Sequence, residues 1–392
     1  MPNSKSPELI SFEHLEIWKA TTNIHPATTY LNVHDPIFPL FANLYDKTKA
    51  TYALLPKRKN GENPFVHPLN IVTFLGKAGI TDGITLCCGL IHDYIEETVD
   101  MYKDKEKIEE NHVGIKNLDK FEQQVTKELL QDLEQFCKTH KIPSPTAKAI
   151  IETTKLLTRH KRDFYYKSIS AIFQCKDEQI KERAIQVKLA DRTHNILCIE
   201  GFSEEARLFQ CFKNLFILNN TKKYLREKNQ ERIFTSSSLA PTEKLFKKCA
   251  KATYCAFLTI GHFVRNKGIV QITPMLQLAF KKYALEQGGL WAVTKVNDEE
   301  VHLMRLFQGV VRKWDARLHH EWENFENAKK REYEFIEKFF VKLNFTQDQI
   351  KAIADYKDAY SLKEVVAYLL YQPEYVVYKF LSSDLSEQGR IE

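Results

Sequence analysis

Glycine and proline are scarce, at 13 each in 392 residues, and methionine and tryptophan are rarer still at four each. Few breakers leave long stretches free to run as helix, so a folded, helix-rich chain is expected, long enough for two domains. No eighteen apolar residues stand together, which excludes a spanning helix and argues against any membrane role. The first thirty residues carry Glu8, Glu13 and Glu16 where a signal peptide would have an apolar core. The eight cysteines are scattered without a Cys-x-x-Cys pair, so neither a structural zinc site nor a disulfide framework is indicated, and reduced thiols in a cytoplasmic protein fit best. Charge is mild, at +6; it permits an anionic partner without arguing for one. A Gly-rich phosphate loop and an internal repeat are also missing.

Against that background one stretch stands out. Cys87-Cys88-Gly89-Leu90-Ile91-His92-Asp93-Tyr94-Ile95-Glu96-Glu97-Thr98 is an apolar run that ends in an imidazole and three carboxylates. Read as one continuous helix, it places His92 over Glu96 and Asp93 over Glu97. Carboxylates packed this closely repel one another, and a divalent cation is the simplest way to hold them ionised.

An oxygen-preferring metal needs further ligands. Upstream, His67 precedes Pro68 at an expected helix start, with Leu69, Ile71, Val72 and Leu75 as the apolar face. Downstream, Leu189-Ala190-Asp191-Arg192-Thr193-His194-Asn195 interrupts another apolar helix, with Asp191 and Asn195 one turn apart. Taken singly these have ordinary readings: His67 as a capping or surface residue, Asp191 as the ion-pair partner of Arg192. Taken together, His67, His92, Asp93 and Asp191 read as four ligands of one metal.

These segments resemble the HD-domain hydrolases of the RelA/SpoT family, which act on the alarmone (p)ppGpp. The likeness rests on Arg58 to Phe65, His67-Pro68, His92-Asp93-Tyr94-Ile95-Glu96-Glu97-Thr98 and Leu189 to Asn195, and covers roughly residues 40 to 200. It implies an HD helical bundle in which His67, His92, Asp93 and Asp191 hold manganese and Glu96 and Glu97 handle the attacking water. It also implies that Arg58 lies against the base, Lys59 near the phosphates and Asn195 at the sugar or base. Three departures are visible: Glu97 replaces the usual Asp, Asn60 a usual Ser, and Asn63 stands where the family has Pro, so that Pro64 and Phe65 arrive one position late.

The chemistry suits these residues. Water must attack a phosphorus screened by negative oxygens; a divalent cation neutralises them and a carboxylate, Glu96 or Glu97, takes the proton. Arg58 and Lys59 would take up phosphate charge, the guanidinium also offering a flat face to a purine; this reading is preferred to Lys57-Arg58-Lys59 as a simple solvated loop.

The fold class expected is all-α: a lead-in segment over 1–35, a metal-dependent HD phosphohydrolase domain over 36–202, and a helical domain of unassigned role over 203–392. A short helix is expected near Phe12 to Lys19, and others through Leu40 to Tyr45, Phe121 to Phe136, Ala147 to Thr158 and Tyr165 to Phe173. Gly79 should end the His67 helix and Thr81 cap the next. Asp100 to Glu110 reads as a solvated stretch that could cover the site, and Arg159-His160-Lys161-Arg162 as a basic turn that could meet phosphate. Helical spacing recurs in the second half, with Thr235-Ser236-Ser237-Ser238 as a linker. The basic excess from Thr221 to Lys295 with interleaved aromatics would admit nucleic acid, but core aromatics with a wet lysine face are preferred. A homo-oligomer is compatible with the charge asymmetry. The function expected is removal of the 3′ pyrophosphate from (p)ppGpp. The alternatives are another nucleotide as substrate, or a non-catalytic nucleotide-sensing or partner-binding protein.

Overall fold

The structure is a computed structural model and describes residues 15–160, 163–229, 233–234, 238–265, 267–269, 309–377 and 381. Among the described residues the fold is all-α, without a strand. None of these helices is long and apolar enough to cross a membrane. The chain divides into two compact units. Among the described residues one comprises 18–201 with 220–249, and the other 15–17, 202–219 and 250–381.

The first unit holds α1 (Phe38–Tyr52), α2 (Val66–Ala78), α3 (Gly83–Ile91), α4 (Tyr94–Glu106), α5 (His112–Thr139), α6 (Pro145–Leu157), α7 (Tyr165–Gln174) and α8 (Glu178–Leu197). Two longer helices, α9 (Glu204–Lys228) and α10 (Pro241–Arg265), each contribute residues to both units. Helix α2 packs on α8 and α3, α3 also on α1 and α6, and α6 on α8. Such an arrangement buries α2 and α3 almost completely: Leu69, Ile71, Phe74 and Leu75 of α2 and Cys87, Cys88 and Leu90 of α3 are all inaccessible. Gly89 lets the two helices approach, since a Cβ there would lie 2.7 Å from Leu75 Cδ1.

Local signals set the helix ends. Gly79, at φ +98°, closes α2 as expected, because a left-handed residue is needed there. Asp82, not Thr81, caps α3, its carboxylate accepting from the backbone N–H groups of Ile84 and Thr85. Helix α5 begins well before Phe121, because Asn111 caps it by accepting from Gly114 N at 3.0 Å. The helix expected near Phe12 to Lys19 does not form over residues 15–20, and residues 12–14 lie outside the described residues. The segment is held non-helical instead: Trp18 stacks on Phe74 at 5.3 Å, and Thr21 N donates to Asn70 Oδ1 at 2.8 Å.

The second unit contains parts of α9 and α10, α11 (309–318), α12 (Trp322–Phe339) and α13 (Gln347–Tyr371). Helix α13 starts with a capping box formed by Thr346 and Gln349 and is buried on all sides. At its middle lies an ionic cluster. Lys313 Nζ meets Glu332 Oε2 at 2.6 Å and Asp358 Oδ2 at 2.5 Å, Lys357 meets Glu332 Oε1 at 2.7 Å, and Trp314 Nε1 donates to Asp358 at 3.0 Å. Thr235 to Ser237 of the expected linker, Lys161 and Arg162 of the basic turn, and the basic stretch from residue 270 to 295 lie outside the described residues.

Candidate functional site

Three helical elements of the first unit bring the singled-out residues together. His67 stands in the first turn of α2, His92 and Asp93 at the junction of α3 and α4, and Asp191 on α8. The single helix expected across His92 and Asp93 is interrupted there. His92 Nδ1 donates to Gly89 O at 2.9 Å, taking the carbonyl that a continuous helix would give to the Asp93 N–H. Helical pairing resumes at once, with Glu97 N donating to Asp93 O at 2.8 Å. The kink turns His92 and Asp93 toward α2.

The result is a compact donor set. His67, His92 and Asp93 offer ligand atoms within 4.8 Å of one another. His92 Nε2 lies 2.9 Å from Asp93 Oδ2 and 3.2 Å from His67 Nε2. His67 Nε2 lies 3.5 Å from Asp93 Oδ2 and 3.4 Å from Asp191 Oδ1. Both histidines are buried and aim Nε2 at the same point, while their Nδ1 atoms are engaged elsewhere, which is how ligating imidazoles are usually oriented. Two imidazole nitrogens and the Asp93 carboxylate grouped this closely fit a divalent cation, and Asp191 adjoins the group on the His67 side.

The electrostatics agree. Burial alone would raise the Asp93 carboxyl, but His92 and the hydrogen bonds from His67 and His92 hold it well below the usual carboxylate range. Asp191 is likewise pushed up by burial and pulled below it by Lys188, whose ammonium sits 2.9 Å from Oδ2. Asn195 Nδ2 donates to Asp191 Oδ1 at 2.5 Å. The cation beside Asp191 is therefore Lys188, three residues earlier on the same helix.

Around this centre the acidic pair divides. Glu96 is clamped by Arg159, with Nη2 at 3.1 Å from Oε1 and the backbone N–H at 3.4 Å from Oε2. Glu97 is raised to about 7, mainly by burial and then by the charges of Asp93 and Glu96. The Tyr52 hydroxyl is buried without a hydrogen-bond partner among the described residues and feels Asp93, Glu97, Glu96 and Arg58. Arg58 reaches Asn195 Oδ1 with Nη2 at 3.4 Å, whereas Lys59 is exposed. Phe65 is buried against Tyr45, ring centroids 5.0 Å apart, so it serves the core. His160 pairs with Glu122 at 2.5 Å and ties the Arg159 turn to α5.

Tyr52, Lys188 and His194 carried no assignment from sequence. Lys188 was legible as an i, i+3 partner of Asp191. His194 was not, because it faces inward from the same helix: its Nδ1 lies 2.8 Å from His67 Nδ1, and burial followed by the nearby His67 lowers its pKa to about 2. A neutral His194 can accept the His67 Nδ1–H, which leaves the His67 Nε2 lone pair free for a metal.

No family model matches the chain, and no solved structure does. Two curated proteins do. One is a "GTP pyrophosphokinase" of Myxococcus xanthus, 27% identical over 210 residues, which are 52% of this chain and 23% of that protein. The other is a "Probable guanosine-3′,5′-bis(diphosphate) 3′-pyrophosphohydrolase" of Mycoplasma pneumoniae, 31% identical over 149 residues, which are 38% of this chain and 17% of that protein. The matches thus span about a fifth of the length of these relatives. Their names agree with the RelA/SpoT resemblance.

Proposed function

We propose that the chain is a divalent-metal-dependent hydrolase that removes the 3′ pyrophosphate from (p)ppGpp. The observation that supports the reading is the grouping of His67, His92 and Asp93, with Asp191 3.4 Å from His67 Nε2. The name of the Mycoplasma pneumoniae relative supports the hydrolytic direction.

In this reading His67 Nε2, His92 Nε2, Asp93 and Asp191 hold the ion, with manganese the choice that the resemblance implies. When bound, a divalent ion would neutralise phosphate oxygens and acidify the attacking water. Glu97 then takes the proton, since a carboxylate poised near neutrality balances availability against basicity. Glu96, paired with Arg159, fixes that guanidinium beside the centre, where it can take up charge on the departing pyrophosphate. The Tyr52 hydroxyl supplies a donor to a phosphate oxygen or to water. Arg58, tethered through Asn195, offers its flat guanidinium to the purine, and Lys59 offers an exposed ammonium to the phosphates.

Pyrophosphate release from ppGpp with added manganese, compared between the wild type and Asp93→Ala, tests the reading; equal release by both overturns it. One observation favours a second substrate class. The aromatic of the Arg58–Phe65 segment is buried in the core, so selection for guanine rests on Arg58 and Asn195 alone. A nucleotide panel in which another phosphorylated nucleoside is turned over faster than ppGpp would establish that class.

A further inference from the structure

A second donor cluster adjoins the His67 centre through His194. Glu62, His194 and Cys198 each present one ligand atom, all within 4.8 Å of one another. His194 and Cys198 stand one turn apart at the end of α8, with Nε2 and Sγ 3.8 Å apart. In a tetrahedral zinc site, with bonds of about 2.05 Å to nitrogen and 2.3 Å to sulfur, those two atoms would be roughly 3.6 Å apart. Little movement is needed to reach that spacing. Glu62 arrives from a tight turn in which Arg58 N donates to Glu62 O at 3.0 Å and Gly61 N to Arg58 O at 2.7 Å. Gly61, at φ +84°, permits the turn. Glu62 Oε2 is buried and has no hydrogen-bond partner among the described residues; the charge already beside the group is the Arg58 guanidinium, which bonds Cys198 and would have to yield that thiol to a metal. A carboxylate and a thiolate would together neutralise a divalent ion, and the sulfur favours zinc or cobalt over manganese.

We infer that Glu62, His194 and Cys198 form a second, inhibitory site for a thiophilic divalent ion such as zinc, and that its occupation excludes an ion at His67. The exclusion rests on the reading of His67 as a metal ligand; the second site does not. Its cause is a single hydrogen bond. With His67 Nδ1 and His194 Nδ1 2.8 Å apart, one ring must donate and the other accept. When neutral His67 ligates through Nε2, its proton is on Nδ1 and is given to His194, whose own proton then occupies Nε2 and leaves no lone pair there. When His194 ligates through Nε2, its proton sits on Nδ1 and faces His67, whose proton moves to Nε2, where Asp191 Oδ1 at 3.4 Å and Asp93 Oδ2 at 3.5 Å face it. Both rings stay neutral throughout; only the Cys198 thiol proton leaves, to solvent. Each tautomeric arrangement therefore serves one site and closes the other.

The test uses the metal-free full chain. Added cobalt(II) is expected to give thiolate-to-cobalt charge-transfer absorption in the near ultraviolet, lost in Cys198→Ser and weakened in Glu62→Gln. Manganese binding, read by electron paramagnetic resonance, is expected to weaken about tenfold or more on addition of one equivalent of zinc to the wild type, and to be unaffected in Cys198→Ser. Absence of a Cys198-dependent band overturns the site. A band accompanied by unchanged manganese binding, or by equal zinc displacement in Cys198→Ser, overturns the exclusion. If manganese fails to bind without zinc, the exclusion falls together with the ligand role of His67, while the cobalt band still decides the second site.

Discussion

Replacing Glu97 by Gln should stabilise the metal-free protein, and by more as the pH rises. Burial and the neighbouring Asp93 and Glu96 raise this carboxyl from 4.5 to about 7. Its folded-state pKa thus lies above the unfolded one, so the native chain binds the proton more tightly. The contribution of Glu97 is most favourable below the unfolded pKa and is lost as pH rises toward the folded one. Linkage over that rise gives a penalty of about 1 kcal/mol near pH 5 and about 3 kcal/mol near pH 8. Gln carries no such penalty. Urea denaturation in the presence of a chelator should therefore show the stability difference between Glu97→Gln and the wild type growing by about 2 kcal/mol from pH 5 to pH 8. Manganese should reduce the difference, because a nearby cation favours the carboxylate. A difference that is flat with pH, or that grows toward acid, would refute the reasoning.

Asp93→Ala should abolish manganese binding by isothermal titration and reduce ppGpp hydrolysis by about a thousandfold or more, because both histidine Nε2 atoms lose the carboxylate they share. Lys313→Met should destabilise the second unit by about 3–5 kcal/mol in calorimetry, since Asp358 and Glu332 would stay buried with Lys357 as the remaining ammonium of the cluster. Gly114→Ala should lower the urea midpoint by the equivalent of about 1–3 kcal/mol, because a Cβ there would overlap the Glu109 carbonyl oxygen.

The sequence made the helical architecture legible because the apolar spacing through Leu69, Ile71, Val72 and Leu75, and again through Val125, Leu129 and Leu133, coincides with the residues that the fold buries. Periodicity reports burial and not hydrogen bonding. It therefore missed the start of α5, which depends on the Asn111 cap, and the non-helical run at Trp18, which is fixed by a distant contact with Phe74. The four donor residues could be named because His, His-Asp and Asp stand conspicuously in apolar surroundings. Their kinked junction could not, because the side chain that interrupts the helix does so through its own second nitrogen. Tyr52 was hidden for the opposite reason: at the end of α1 it looks like any core aromatic until its hydroxyl is found without an acceptor among the described residues.

Lys188 gives the group around His67 an internal counter-charge. With its ammonium resting on Asp191, one of the two acids is already balanced before anything arrives. A chelator-treated preparation should therefore keep its helices, as read by circular dichroism.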